Sequence, residues 1–267
     1  MILRLTLLSV IIPLLIINLM PTDKKSVALI TGAASNIGLA IANRFIGDFH
    51  VVGVDRSFGS EAIEKPNKQY KFNRITCDIT NAKQVERVFK VSRELAPISV
   101  VINSAAISEE RKTIEETTID SWRNIVDINL TGAFIVMKVA IPYLRESKGA
   151  GVLISSRAGK VGYAGLDPSP EGTKAHYCAA KAGVNSLIKS LATELAQFQV
   201  RINGVAPGSI EGKMIPKKKW PELAKKIPLK RLGLPDEIAE ATFFLCSDAA
   251  TYITGHILDV NGGSLMD

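Results

Sequence analysis

The sequence predicts one α/β domain, a doubly wound parallel sheet of seven strands with helices on both faces. Three observations predict it. From Ser26 onward, short β-branched runs alternate with stretches of helical spacing, and such alternation builds right-handed βαβ units and so a parallel sheet. The runs are apolar without strict alternation, the mark of strands covered on both faces. The chain has 267 residues, 46% apolar and 22% charged, enough to bury roughly three quarters of its unfolded surface without a disulfide or metal. That composition excludes a disordered or fibrous protein.

Strands are expected at 27–31, 51–54, 74–77, 100–103, 152–155, 201–205 and 257–260. Between the third and fourth, Val85, Val88, Phe89 and Ser92 recur at helical spacing. A longer helix is expected over 122–144. Another, over 179–198, carries Val184, Leu187, Ile188, Leu191 and Leu195 on more than one face. One face can cover the sheet and the other a symmetry mate, so a homotetramer or homodimer is expected. Pro216, Pro221 and Pro228 break up 213–231, which reads as a broken helical insertion before the last helix.

Residues 24–267 form the predicted catalytic domain, and residues 1–20 stand outside it as an apolar extension. Its uncharged run from Leu5 to Thr22 would make a helix of about 27 Å, barely spanning a bilayer core of about 30 Å. Three readings stay open: a membrane anchor, an amphipathic or buried extension, or a true start at Met20. Cys77, Cys178 and Cys246 lie far apart with no His at ligand spacing. Neither a disulfide framework nor a metal site is expected, and a reducing, cytoplasmic setting is, unless the extension anchors the chain to a membrane.

The first strand runs straight into Gly32-Ala-Ala-Ser-Asn-Ile-Gly38 and then a helical pattern. Such a turn lets backbone approach a pyrophosphate, which the helix N-terminus then receives with free N–H groups. Asn36 stands where the usual fingerprint has its central glycine. It is the non-glycine residue that best tolerates positive φ. The second strand ends at Asp55, whose carboxylate can accept both ribose hydroxyls and repel a 2′-phosphate. That favours NAD, while Arg56 beside it keeps NADP possible. In Tyr177-Cys-Ala-Ala-Lys181 a phenol and an ammonium stand at i and i+4 on one helix face. A nearby cation lowers a phenol's pKa, which would fit Tyr177 to exchange a proton with a substrate hydroxyl.

Seven motifs stand in order: Thr31-Gly32-xxx-Asn36-x-Gly38, Cys77-Asp78-Ile79, Asn103-Ser-Ala-Ala106, Asp127-Ile-Asn129-Leu, Ile154-Ser-Ser156, Tyr177-xxx-Lys181 and Asn203-Gly-Val-Ala-Pro-Gly208. On them the chain, from about Lys24 to its end, resembles the short-chain dehydrogenase/reductases, Rossmann-type oxidoreductases. The resemblance implies a catalytic tetrad of Asn129, Ser156, Tyr177 and Lys181. Tyr177 would be the acid/base and Ser156 the hydrogen-bond donor to the substrate oxygen, with Ser155 the alternative. Lys181 would hold the ribose and lower the Tyr177 pKa. Asn129 would position a water leading to Lys181, or else bond helix backbone. The resemblance also implies that Gly32, Ser35, Asn36, Ile37 and Gly38 receive the dinucleotide. Asp78 and Ile79 would flank adenine, and Asn103 and Ala105 would line the groove. Pro207, Gly208 and Ile210 would face the nicotinamide. His176 and Cys178 read as structural.

Two further departures matter. Gly212 stands where the family often has a threonine that grips the carboxamide. Ser156 and Tyr177 are 21 residues apart, longer than usual, so the loop around 167–172 should bulge toward the substrate pocket. The implied activity is hydride transfer between a nicotinamide cofactor and a secondary alcohol or ketone. Tail motifs resemble both 3-oxoacyl-acyl-carrier-protein reductases, which would use NADPH on carrier or coenzyme A thioesters, and sugar or polyol dehydrogenases. A catalytically silent cofactor sensor is the alternative of another class. The formal charge of +7 lies entirely in 213–231, where eight Lys and Arg face only Glu222. One aromatic, Trp220, does not suit a nucleic-acid surface. The segment reads either as a solvated lid or as a patch steering a small or carrier-bound anionic substrate.

Overall fold

The computed structural model describes residues 25–58, 72–163 and 171–266. The extension at 1–20, and 167–170 of the expected substrate loop, lie outside the described residues.

Seven strands form one sheet: β1 (Val27–Thr31), β2 (His50–Asp55), β3 (Phe72–Thr76), β4 (Ile98–Asn103), β5 (Ala150–Ile154), β6 (Arg201–Pro207) and β7 (Ile257–Val260). Their order is β3-β2-β1-β4-β5-β6-β7, and every pairing is parallel. The helices are α1 (Asn36–Phe45), α2 (Ala82–Arg93), α3 (Ile119–Val126), α4 (Gly132–Ser147), α5 (Arg157–Val161), α6 (Ala175–Leu195), α7 (Trp220–Lys226) and α8 (Pro235–Cys246).

Side-chain alternation along each strand splits the core in two. Val27, Leu29, Val52, Val54 and Val101 pack with residues of α2, α4 and α6 on one face. Ala28, Ile30, Val51, Val100 and Ile102 pack with residues of α1 and α8 on the other. A strand buried on both faces has no polar side to alternate with, which is why the runs are apolar throughout. The direction of winding reverses between β1 and β4, and such sheets bind ligands beyond the carboxyl ends of the strands at that point.

The single helix expected over 122–144 is a correction. α3 ends at Val126, a π-helical turn occupies Asp127–Thr131, and α4 begins at Gly132. The stretch Ile119–Ser147 is apolar enough by composition to cross a membrane, yet Val136, Met137, Ala140 and Leu144 are wholly buried in the core. The insertion at 213–231 is broken as expected, into a 3-10 turn at Lys217–Lys219 and the short α7. The helix expected over 179–198 starts earlier, at Ala175, and closes with a 3-10 turn at Ala196–Phe198.

Candidate active site

A cavity of about 330 Å3 opens over the carboxyl ends of β1, β4 and β5. At one end lies the glycine turn. Gly32 sits at φ 70° and Asn36 at φ 47°, so the asparagine does adopt the left-handed conformation its position requires. A Cβ on Gly38 would stand 2.0 Å from the Gly32 carbonyl oxygen, and one on Gly32 2.7 Å from the Ala105 backbone. Only bare backbone lets this turn close against the loop after β4. Ser35 precedes α1 without making a side-chain cap, and the first turn holds no acid. Its N–H groups are thus left for an anion. These residues fit a dinucleotide's diphosphate. Ile37 and Ala105 also line the cavity.

Asp55 and Arg56 line it beside the turn, with Asp78 and Ile79 further along. Asp55 accepts from the Ala34 N–H at 3.1 Å and the Ser57 N–H at 3.3 Å, which fixes the carboxylate beside the turn. Asp78 accepts from the Thr80 N–H and hydroxyl at 2.9 and 2.8 Å, and these bonds hold its carboxyl below the usual range. Asn103 is a correction. It is buried behind the wall, accepting from the Thr31 hydroxyl at 2.8 Å; Thr31 in turn accepts from the Ala105 N–H at 3.2 Å. It shapes the groove through Ala105 and does not line it.

At the other end stand Ser156, Tyr177 and Lys181, with Pro207, Gly208 and Ile210 across from them. Ser156 follows β5 by two residues and caps α5 by accepting from the Ala158 N–H at 3.1 Å. It lines the cavity with Tyr177. Ser155 is buried and bonded to Asn185, so the second serine is the one beside the tyrosine. Lys181 donates to the Ile154 carbonyl at 2.7 Å, and its ammonium lies 5.9 Å from the centre of the Tyr177 ring.

The expected electrostatics need correcting. Burial pushes the Tyr177 phenol up to about 12. Burial pulls the Lys181 ammonium down to about 8. Desolvation is the largest cause for both groups. Asn129 needs correcting too. It is fully buried in the π-helical turn. Its amide pairs with both backbone groups of Ile107, accepting from the N–H at 2.8 Å and donating to the carbonyl at 2.8 Å. It clamps the loop after β4 and does not line the cavity.

Sequence reasoning missed several wall residues. Ile107 follows the Asn103-Ser-Ala-Ala106 motif, and Ile128 precedes Asn129; both line the cavity, as do Met214 and Ile215 of the basic segment. Their neighbours were the available signal. His176 is buried, as a structural residue would be, with no hydrogen-bond partner among the described residues. Its Nε2 lies 3.8 Å from Glu109.

A family model described as "Enoyl-(Acyl carrier protein) reductase" matches residues 32–264. The chain is 34% identical over 250 residues to a 3-oxoacyl-[acyl-carrier-protein] reductase of Thermotoga maritima, covering 89% of this chain and 96% of that one. It is 33% identical to the cis-4-hydroxycyclohexanecarboxylate dehydrogenase of Sinomonas cyclohexanicum, covering 90% and 96%. Among solved structures, the ligand-free aldohexose dehydrogenase of Thermoplasma acidophilum superposes with a TM-score of 0.78 at 32% identity, covering 90% of this chain and 94% of that one.

Proposed function

This chain belongs to the short-chain dehydrogenase/reductase family and is a nicotinamide-dependent oxidoreductase acting on CH–OH groups; we propose that it interconverts a secondary alcohol and a ketone, with Tyr177 transferring the proton and NAD(H) the preferred cofactor. One observation carries the reading: Ser156, Tyr177 and Lys181 stand together at one end of the cavity whose other end is the α1 glycine turn. The bound nicotinamide supplies or accepts the hydride. Tyr177 donates to a ketone oxygen or, in reverse, takes the alcohol proton. Ser156 donates to the same oxygen as charge develops. Lys181 faces the ribose, and Asn129 acts from behind by fixing the Ile107 loop. Gly32, Ser35, Asn36, Ile37 and Gly38 receive the diphosphate. Asp78 and Ile79 flank the adenine, and Pro207, Gly208 and Ile210 face the nicotinamide. With Cys77, Cys178 and Cys246 all free, the enzyme fits the reducing cytoplasm.

Asp55 supports NAD over NADP, because its carboxylate lines the cavity and would repel a 2′-phosphate. Arg56 lines the cavity beside it, so the preference rests on the Asp55 carboxylate alone. Steady-state assays with both cofactors against secondary alcohols and ketones test this. The wild type should prefer NAD(H), and Asp55→Ala should move the preference toward NADP(H). A wild type that uses NADPH at least about tenfold better refutes the assignment of Asp55.

A second reading is reduction of a 3-oxoacyl thioester with NADPH. The match to 3-oxoacyl-[acyl-carrier-protein] reductases favours it, and turnover of acetoacetyl-coenzyme A in the same assays separates the two.

A further inference from the structure

One charged pair is buried behind the reacting end of the cavity. Lys160 of α5 donates to Oδ2 of Asp259 on β7, and the two side chains are only 15% and 19% exposed. Pairs such as Arg44–Glu240 and Arg231–Glu237 lie far more open. Replacing a buried pair with well-packed apolar side chains is often neutral or stabilising. Stability therefore does not account for this pair, and its place in the fold does.

α5 is five residues long, too short to hold itself. Its N-cap is Ser156, which accepts from the Ala158 N–H. Its middle presses on α6: a Cβ on Gly159 would stand 2.6 Å from the Lys181 carbonyl carbon. Its last turn is held by Lys160 on Asp259. One short helix thus follows Ser156, abuts the Lys181 backbone and is tied to β7. The other carboxylate oxygen of Asp259, Oδ1, accepts from the Asn261 side chain at 3.3 Å. Asn261 backs Gly208, where a Cβ would stand 2.8 Å from the Asn261 Cα. The Gly208 N–H donates to the Val260 carbonyl at 3.0 Å, and Asp259 pairs in register with Ala206, two residues before Gly208. Ser156, Lys181 and Gly208 all line the cavity.

We propose that Asp259 is a positioning residue for the oxidoreduction. Through Lys160 and α5 it fixes Ser156 toward the substrate oxygen. Through Asn261 it braces the Gly208 wall that faces the nicotinamide. The inference rests on the oxidoreductase reading and deepens it, by assigning one carboxylate to two parts of the reacting end. Misplacing a reacting group by about 1 Å can cost about a hundredfold in rate, which gives a rigid internal tie a use that its desolvation cost alone does not.

Lys160→Met with Asp259→Leu removes both charges at once and leaves neither buried alone. Its Tm should stay near the wild type, while kcat for the best alcohol or ketone falls at least about tenfold, part of what misplacement costs. That loss should act through the serine. In a Ser156→Ala background the same two changes should lower kcat by less than about threefold, since residues acting through one another are not additive. Lys160→Met with Asp259→Asn keeps an acceptor for Asn261. It should lose turnover equally, and it carries the test should the first variant not fold. Binding of NADH and of ADP-ribose, measured without substrate, reads the second arm. With Asp259→Leu, NADH should weaken by about threefold, the worth of one hydrogen bond, while ADP-ribose, which lacks the nicotinamide, keeps its affinity. With Asp259→Asn both should keep theirs. Near-wild-type kcat, an equal loss with and without the Ser156 hydroxyl, or NADH and ADP-ribose weakening together overturns the role of Asp259. A wild type without turnover on any alcohol or ketone counts against the oxidoreductase reading instead, and the two affinities still judge Asp259.

Discussion

Asn36 and Gly212 are two departures from the family pattern that meet in space. A Cβ on Gly212 would stand 2.4 Å from Nδ2 and 2.6 Å from Oδ1 of Asn36. The Asn36 amide therefore occupies the room that a larger residue at 212 would need. Gly212 also sits at φ 155°, a conformation that itself favours glycine. Asn36 and Gly212 should thus be energetically coupled. Gly212→Ala alone should weaken dinucleotide binding by displacing the amide, and adding Asn36→Gly should recover part of the loss. Residues in contact couple by about 0.5–3 kcal/mol. A double-mutant cycle on the dinucleotide dissociation constant measures this, and strictly additive losses would exclude the coupling. Each residue was visible in the sequence as an oddity. That they explain one another was not, because 176 positions and a whole sheet separate them. The pKa values of Tyr177 and Lys181 were hidden for a related reason: spacing of i and i+4 gives proximity but not burial, and burial dominates here.

At the scale of elements, strand positions were legible because apolar runs covered on both faces have few alternative meanings once helical spacing alternates with them. The interruption between α3 and α4 was not legible. Asp127-Ile-Asn-Leu-Thr131 continues the helical pattern, and only the tertiary pairing of Asn129 with Ile107 makes a widened turn worth its poorer hydrogen bonding. That turn also sets the outer face of α4 against α6. Leu130, Thr131, Phe134, Gly183, Ser186 and Leu187 line a shallow depression there, and Phe134 is 47% exposed. A Cβ on Gly183 would stand 2.7 Å from the tip of the Leu130 side chain, so Gly183 gives that leucine of the π-helical turn room against α6. The chain should form a homodimer or homotetramer through this face. Light scattering at micromolar concentration should give a multiple of the 28.8 kDa chain mass, and Phe134→Glu should reduce it. A wild-type monomer would contradict the use of this face.

At the scale of the whole molecule, the sheet order places the two halves of the cavity on opposite sides of the β1–β4 reversal. The dinucleotide turn comes from one half. The Ser156–Tyr177–Lys181 group comes from the other, at the start of α5 after β5 and on α6. In the proposed reaction, hydride and proton donors would come to one substrate carbon and oxygen from separate elements. Either half can be altered without the other, and the decisive test uses that separation. Tyr177→Phe keeps the ring's packing and removes only the hydroxyl. Dinucleotide affinity should stay within about threefold of the wild type, while kcat for the best alcohol or ketone falls by at least about a hundredfold, the low end of what a positioned acid/base contributes. Near-wild-type turnover in the Tyr177→Phe enzyme, with the dinucleotide still bound, would contradict proton transfer at Tyr177.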